Sequence, residues 1–403
     1  MAVQGFCAEE FTAVREELER NFAERGELGA AVHASVDGET VVDLWGGETG
    51  TGADWGEDTL VHVWSSTKGA VALCAHILAS RGELDLNAPV AQYWPAFAKN
   101  GKDGIAVRHL LNHQAGLAAL RQPLPPGAFY DWDLMTAALA DAEPFWEPGT
   151  RHGYHALTFG FLVGEVIRRV SGTPLGDFFR TEVAEPLGIE FYLGLPEEHE
   201  ARVAPTVPAD LAALGAAVPS LFVAAMTDPG SLQGLMLLNN GGYMEPGEAD
   251  TRAAHAAVLG CTGGITNARG LSGMYRPLAN GGAPLVDELQ VAQLAAVSSA
   301  SSVDAVLLVP SRFSLGFVKA VDNRHLPAAD ASGVLLSEEA FGHVGFGGSI
   351  GFADPRARLS FAYTMTKQGP GAGLDPRGQE LVDATYRSLG YRRPDSGGIW
   401  QHG

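Results

Sequence analysis

Strand-like runs stand at both ends of this chain, and helix-like runs fill its middle. That arrangement limits the fold more than any single motif does. Near the N-terminus, two apolar runs in AAVHASVDGETVVDLWGG flank Asp37-Gly38, a two-residue hairpin signal. In the C-terminal third, FGHVGFGGSIGFADPRARLSFAYTMT holds two β-like runs around the turn sequence Asp354-Pro355-Arg356-Ala357. Between them the pattern stays helical to about residue 190, broken by Pro-rich loops such as RQPLPPGAF. The sequence therefore predicts one sheet completed by both chain ends and carrying a helical insertion, an α/β (α+β) architecture. Residues 196–260 are Ala- and Pro-rich and read either as a cap over a site or as loops and short helices.

Local signals fill in this frame. The first 22 residues read as an amphipathic helix with Phe11, Val14, Leu18 and Phe22 at spacings of three and four. The run DTLVHVW leads into SSTKGAVALCAHILASRGEL, where Val71, Cys74, Ile77 and Leu78 share a helical face and Gly82 is a stop. Asp375 is an expected N-cap with Pro376 at the first helical position, and Gly390 an expected C′ residue.

Bulk properties narrow the functional classes. The chain has 403 residues, a formal charge of -20 and a pI of about 4.9. Such a field repels phosphate backbones and anionic lipid, so neither nucleic acid nor a membrane is expected as a partner. Three cysteines, Cys7, Cys74 and Cys261, form no C-x-x-C, so no disulfide framework is expected. The N-terminal segment lacks a basic and then apolar signal pattern, and no stretch approaches the ~18 apolar residues of a membrane span. The expectation is a cytoplasmic protein, with homo-oligomerisation left open. No Walker A string or Rossmann fingerprint appears in strand-turn-helix context, so no cofactor is expected.

Two serines compete as nucleophile. Ser349 lies in GGSIG, which fits G-x-S-x-G, but a hairpin rather than a helix follows it. The only histidine after it is His402, at the tail tip. Ser65 and Lys68 form S-x-x-K, of which chance alone gives about 0.25 in a chain with this content of serine and lysine. The context of this second string is stronger. It lies where a strand-like run meets a helix, so both side chains share one helix face at the positive end of its dipole. A serine hydroxyl needs an adjacent base, and lysine serves only when burial makes it neutral. The alternative is a serine N-cap with a solvated lysine one turn on. Further along, Tyr154 is read as opening an amphipathic helix through Leu157, Phe161 and Ile167, with its hydroxyl projecting. His343-Val344-Gly345 stands on a glycine-rich strand edge that turns backbone N–H groups toward a site.

These three elements, in this order, resemble the serine β-lactamase and penicillin-binding superfamily. The strongest likeness is to the family VIII carboxylesterases, themselves similar to class C β-lactamases. The matches are Ser65-Ser66-Thr67-Lys68, Tyr154-His155-Ala156 and His343-Val344-Gly345, supported by HLLNHQAGL, CTGGITNARGLSGMY and GFGGSIGFADP. The likeness spans about residues 28–390. It implies a β-lactamase-like antiparallel sheet with flanking helices, made of residues 1–64 and 255–403, a mostly helical domain of residues 65–254, and an active site between them. It implies acylation of Ser65, proton transfer shared by Lys68 and Tyr154, and an oxyanion hole from the backbone N–H groups of Ser65 and Phe346. Ser349 is then structural. The substrate-binding expectations are His343, Gly345, His155 and Trp132. Two departures point toward esters rather than lactams: the K-T-G lysine is His343 here, and the Y-x-N asparagine is Ala156. The implied activity is a cofactor-free serine carboxylesterase acting on a small-molecule ester. The alternatives are an acyltransferase or weak β-lactamase on the same site, or a silent binding protein of this fold.

One further pattern has a metal-site spacing. His109 and His113 stand at i, i+4, but no Glu follows His109, and caps or core packing are expected instead. The loop aromatics Phe129, Tyr130, Trp132 and Trp146 are candidates for an acyl pocket.

Overall fold

The computed structural model describes residues 2–209, 218–371, 373–394 and 398–403. Part of the region expected as cap or loops, 210–217, lies outside the described residues. The strands that frame the site are β1 (Gln4–Cys7), β2 (Gly29–Val36), β3 (Glu39–Gly47), β4 (Leu60–His62), β5 (Phe341–Val344), β6 (Ile350–Asp354) and β7 (Leu359–Met365). The helices that matter are α1 (Thr12–Glu24), α2 (Thr67–Ser80), α3 (Phe159–Ser171), α4 (Ser220–Thr227), α5 (Leu232–Leu238), α6 (Ala268–Ala279) and α7 (Pro376–Ser388).

Six strands form the main sheet in the order β1-β3-β2-β7-β6-β5, every pair antiparallel. The two chain ends meet at its centre, where β2 pairs with β7 from Val36↔Leu359 to Ala30↔Met365. The hairpin between β2 and β3 turns on Asp37 and Gly38 at φ 52° and 85°, the type I′ geometry that a right-twisted ribbon requires. Asp354 Oδ1 accepts from the backbone N–H groups of Arg356 and Ala357 and so builds the β6–β7 turn. Asp375 caps α7 by accepting from the N–H groups of Arg377 and Gly378, and Gly82 and Gly390 close α2 and α7 at φ 74° and 77°.

Both faces of the sheet are covered. On one, Phe11, Val14 and Leu18 and, from α7, Leu381 and Val382 pack on Val32, Leu44, Phe352 and Phe361. On the other, α6 lies over small side chains such as Ala31 and Ala362. A Cβ at Gly351 would stand 2.6 Å from Leu271 Cγ, so only glycine lets α6 approach this closely. Burying each large aliphatic side chain here contributes roughly 1.5–3 kcal/mol.

Two expectations need correction. The first residues are not all helical: Gln4–Cys7 form β1, held by pairing with β3 along Gln4↔Trp45 to Cys7↔Val42. The sequence also gives no hint of a second sheet. In it β4 pairs with Gly264–Thr266 and Val203–Ala204, and Phe191–Leu193 completes the far edge. Of its strands only β4 shows beforehand, as the strand-like run DTLVHVW; the others, of two or three residues, carry too little alternation to be seen.

Candidate active site

The site begins where β4 runs into α2. The chain turns through Trp64, a bulky residue at φ 48°, and this unusual backbone brings Ser65 to the head of the helix. Two hydroxyls lock the turn. Thr67 Oγ1 donates to Trp64 O at 2.5 Å and accepts from Gly264 N at 2.8 Å. Ser66 Oγ donates to His343 O at 3.2 Å and so ties the helix head to β5. Almost every side chain of α2 is buried and apolar, and Lys68 is the one charged residue among them.

Lys68 Nζ donates to Ala156 O at 2.7 Å and to Cys261 O at 2.8 Å, and it stands 2.9 Å from Ser65 Oγ. It also stands 4.8 Å from the centre of the Tyr154 ring. Full burial pushes its ammonium down to about 7, since a charge in this setting loses its hydration. Tyr154 is pushed the other way. Burial holds its phenol well above the ordinary range, and a hydrogen bond with Ser65 only partly opposes this.

Tyr154 does not open a helix, as its spacing suggested. α3 starts at Phe159, and Tyr154 sits in an irregular segment held by side chains. Its backbone N–H donates to Asp304 Oδ1 at 3.0 Å, and its ring stacks on Phe313 at 6.0 Å. His113 packs edge-on against it at 5.0 Å. Asp304 is fully buried and also accepts from Val306 N, Leu307 N and Ser311 Oγ. Sequence reading missed Asp304, and it missed the carbonyls of Ala156 and Cys261; a main-chain acceptor has no side-chain signature.

Ser65, Tyr154, His343 and Phe346 line one open cleft. Most of its other walls are apolar: Trp64, Leu157, Leu221, Phe222, Met236, Leu307, Phe313 and Val344 among them. Among the described residues, its two charged side chains are engaged elsewhere. Arg312 pairs with Glu338 at 2.6 Å, and Asp330 accepts from Ser220 N and Oγ at 2.9 and 2.5 Å. His343 donates from Nδ1 to Val344 O at 2.8 Å, because a carbonyl only accepts. Burial lowers His343 to about 3, so the ring is neutral and its Nε2 is an unpartnered buried acceptor. Among the described residues, no backbone carbonyl takes the N–H of Ser65 or of Phe346.

Three expected substrate contacts lie outside the cleft. His155 is fully buried; its Nε2 accepts from Leu117 N at 3.0 Å and its Nδ1 faces Gly153 O at 2.7 Å, so it braces the Tyr154 loop. Trp132 donates to Glu165 at 2.8 Å and packs on Phe161. Gly345 is a close-approach glycine: a Cβ there would stand 2.1 Å from Ser349 Oγ and 2.3 Å from Val63 O. The aromatics Phe129, Tyr130 and Trp146 likewise do not wall the cleft. Ser349 is buried in the turn before β6, where its hydroxyl donates to Val63 O at 3.0 Å and meets Ser66 Oγ at 3.2 Å. His109 and His113 share no helix face, because the helix Val107–Leu111 ends first and His113 has φ 63°.

The model of the family described as Beta-lactamase matches residues 15–385. The chain belongs to the β-lactamase family. Over 349 residues it is 34% identical to the esterase/β-lactamase LipL of Mycobacterium tuberculosis, covering 83% of this chain and 76% of LipL. Its structure is similar to the crystal structure of a family VIII carboxylesterase, with TM-score 0.83, 37% identity, and 96% and 100% of the two chains covered. It is also similar to a novel penicillin-binding protein homolog from Caulobacter crescentus, with TM-score 0.82, 32% identity, and 96% and 100% covered. The family frame accounts for the antiparallel sheet built from both chain ends.

Proposed function

We propose that the chain is a serine carboxylesterase that forms an acyl-enzyme on Ser65. The observation that carries this reading is the contact set of Lys68. A neutral amine keeps two N–H groups and one lone pair. The carbonyls of Ala156 and Cys261 only accept, so they take the two N–H groups, and the lone pair is left for the Ser65 hydroxyl. Lys68 then takes the Ser65 proton as Oγ bonds to the ester carbonyl carbon. The backbone N–H groups of Ser65 and Phe346 receive the oxyanion, each worth roughly 3 kcal/mol in such a hole. As the C–O bond to the alcohol breaks, Tyr154 protonates the leaving oxygen and regains a proton from Lys68. Water follows the same route in reverse to release the acid. The raised phenol suits Tyr154 as the acid, since it stays protonated until an alkoxide forms.

Ester rather than lactam chemistry is supported by the neutral His343 and by an apolar cleft whose one cation among the described residues is already paired. The family VIII carboxylesterase neighbour and the esterase relative LipL support the same substrate class. His343 Nε2 is placed to accept from the Tyr154 hydroxyl or from substrate, and the ring centres are 6.0 Å apart. We keep residues 65–254 as the mostly helical half of the enzyme, with the site at its border with the sheet half. A cytoplasmic location suits the three unpaired thiols.

The test is turnover of p-nitrophenyl esters of graded chain length beside a chromogenic cephalosporin. The expected result is ester turnover with little lactam turnover. Cephalosporin hydrolysis matching the best ester would reverse the assignment.

A further inference from the structure

One charged contact joins two walls of the cleft. Pro219, Leu221 and Phe222, at the head of α4, line one of them, and Ala329, Asp330 and Ser332 line another. Asp330 Oδ1 accepts from Ser220 N at 2.9 Å, and its Oδ2 accepts from Ser220 Oγ at 2.5 Å. Ser220 is the first residue of α4, and Pro219 before it has no N–H. A carboxylate at this place satisfies an amide that the helix leaves open and meets the positive end of its dipole. α5 is capped locally, by Ser231 accepting from Gly234 N, whereas α4 has no such local cap. Its cap comes from 110 residues along the chain.

The two partners are held very differently. The loop that carries Asp330 is braced at its base, where Val321 and Val334 exchange both main-chain hydrogen bonds at 2.9 Å. Asn323 Nδ2 adds a bond to Pro310 O at 3.1 Å. α5 is also anchored, with Gln233 Nε2 donating to Ala305 O and Asn239 Nδ2 to Leu120 O, both at 2.8 Å. Among the described residues, the only hydrogen bonds that tie α4 to a distant part of the chain are the two on Asp330. A ring contact adds to them: Phe222 meets Phe346, the proposed oxyanion donor, edge-on at 6.3 Å.

The Asp330 contact therefore decides how firmly α4 serves as a wall. An apolar group gains attraction only from a surface that stays in place; a gap of roughly 0.5–1 Å forfeits a quarter to a half of it. Leu221 and Phe222 offer such a surface while the head of α4 is held. We propose that Asp330 is a positioning residue for ester specificity: by capping α4 it fixes the wall of Leu221 and Phe222, and so sets the preference for longer aliphatic esters over acetate. That preference rests on the esterase reading, whereas the capping of α4 does not.

The test compares the full chain with Asp330→Ala and Asp330→Asn. Two quantities are measured: the ratio of kcat/KM for p-nitrophenyl hexanoate to that for p-nitrophenyl acetate, and hydrogen exchange of the α4 amides. Asp330→Ala should lower the ratio about tenfold, with the loss in KM for hexanoate, and should quicken exchange about tenfold. Asp330→Asn keeps an oxygen for Ser220 N and turns its amide to Ser220 Oγ, so it should restore both. An equal loss on the two esters, or no loss, overturns the proposal, because a merely structural role lowers both alike. A ratio that rises overturns it too and makes Asp330 a size filter. So does native exchange in Asp330→Ala, or failure of Asp330→Asn to restore the ratio. Absence of ester turnover in the native chain would overturn the preference together with the esterase reading, and quickened exchange in Asp330→Ala would keep the cap.

Discussion

At the scale of residues, the account turns on a buried amine that works only when neutral. Lys68 sits at about 7 because burial removes the hydration of its charged form. Below that value it is protonated and cannot accept from Ser65. Thus kcat/KM, which reports the free enzyme, should fall about tenfold per pH unit below about 7 and level off above it. A flat profile from pH 5 to 8 on a non-titrating ester would remove Lys68 as the base. Tyr154→Phe deletes the phenolic proton but keeps the ring that stacks on Phe313. It should fold normally by circular dichroism and lose roughly 10²-fold or more in kcat, whereas full activity would take Tyr154 out of the mechanism. Much of this site is legible in the sequence, because S-x-x-K on one helix face needs only spacing and a strand-to-helix junction. Asp304 is not legible: its role is to hold the Tyr154 backbone from 150 residues away. His155 and Trp132 were misjudged for a related reason, since side chains near a motif in sequence can be spent on bracing it.

At the scale of elements, the second carbonyl that holds Lys68 depends on how closely α3 crosses the segment carrying Cys261. A Cβ at Gly160 would stand 2.3 Å from Gly260 C and 2.4 Å from Cys261 N, both backbone atoms that cannot swing aside. Gly160→Ala should therefore move the Cys261 carbonyl off Lys68. The expected cost is ~1–3 kcal/mol in stability and a drop of roughly 10²-fold in kcat/KM, the scale of an ångström-sized misplacement. Unchanged kinetics would mean that this crossing does not set the site. Elements with strong local chemistry are readable in advance, as Asp37-Gly38 and the Asp375-Pro376 cap show. Those made by pairing alone are not. β1 and the second sheet owe their strands to neighbours distant in sequence, and the helical periodicity before α3 ran past the true start at Phe159.

At the scale of the whole molecule, the two chain ends must close one sheet, and a buried ionic cluster holds them together. Arg377 on α7 pairs with Glu27 at 2.9 Å and with Asp375 at 2.7 Å, and Tyr363 of β7 donates to the same Glu27. Arg377→Leu leaves the Glu27 carboxylate buried without its cation and should lower stability by roughly 3–5 kcal/mol, read as a fall in the denaturation midpoint. A native midpoint would show the cluster to be dispensable. The joining of both ends into one sheet is visible from the sequence as strands at either end. The position of β4, which aims the nucleophile, is visible too, as the strand-like run DTLVHVW before the helix. The central claim, that Ser65 and not Ser349 carries the acyl group, is tested most directly by covalent labelling. A fluorophosphonate is allowed to react to completion and the labelled peptide is identified by mass spectrometry. A single adduct on Ser65, lost in Ser65→Ala and kept in Ser349→Ala, is the expected result; an adduct on Ser349 or any other side chain would contradict it.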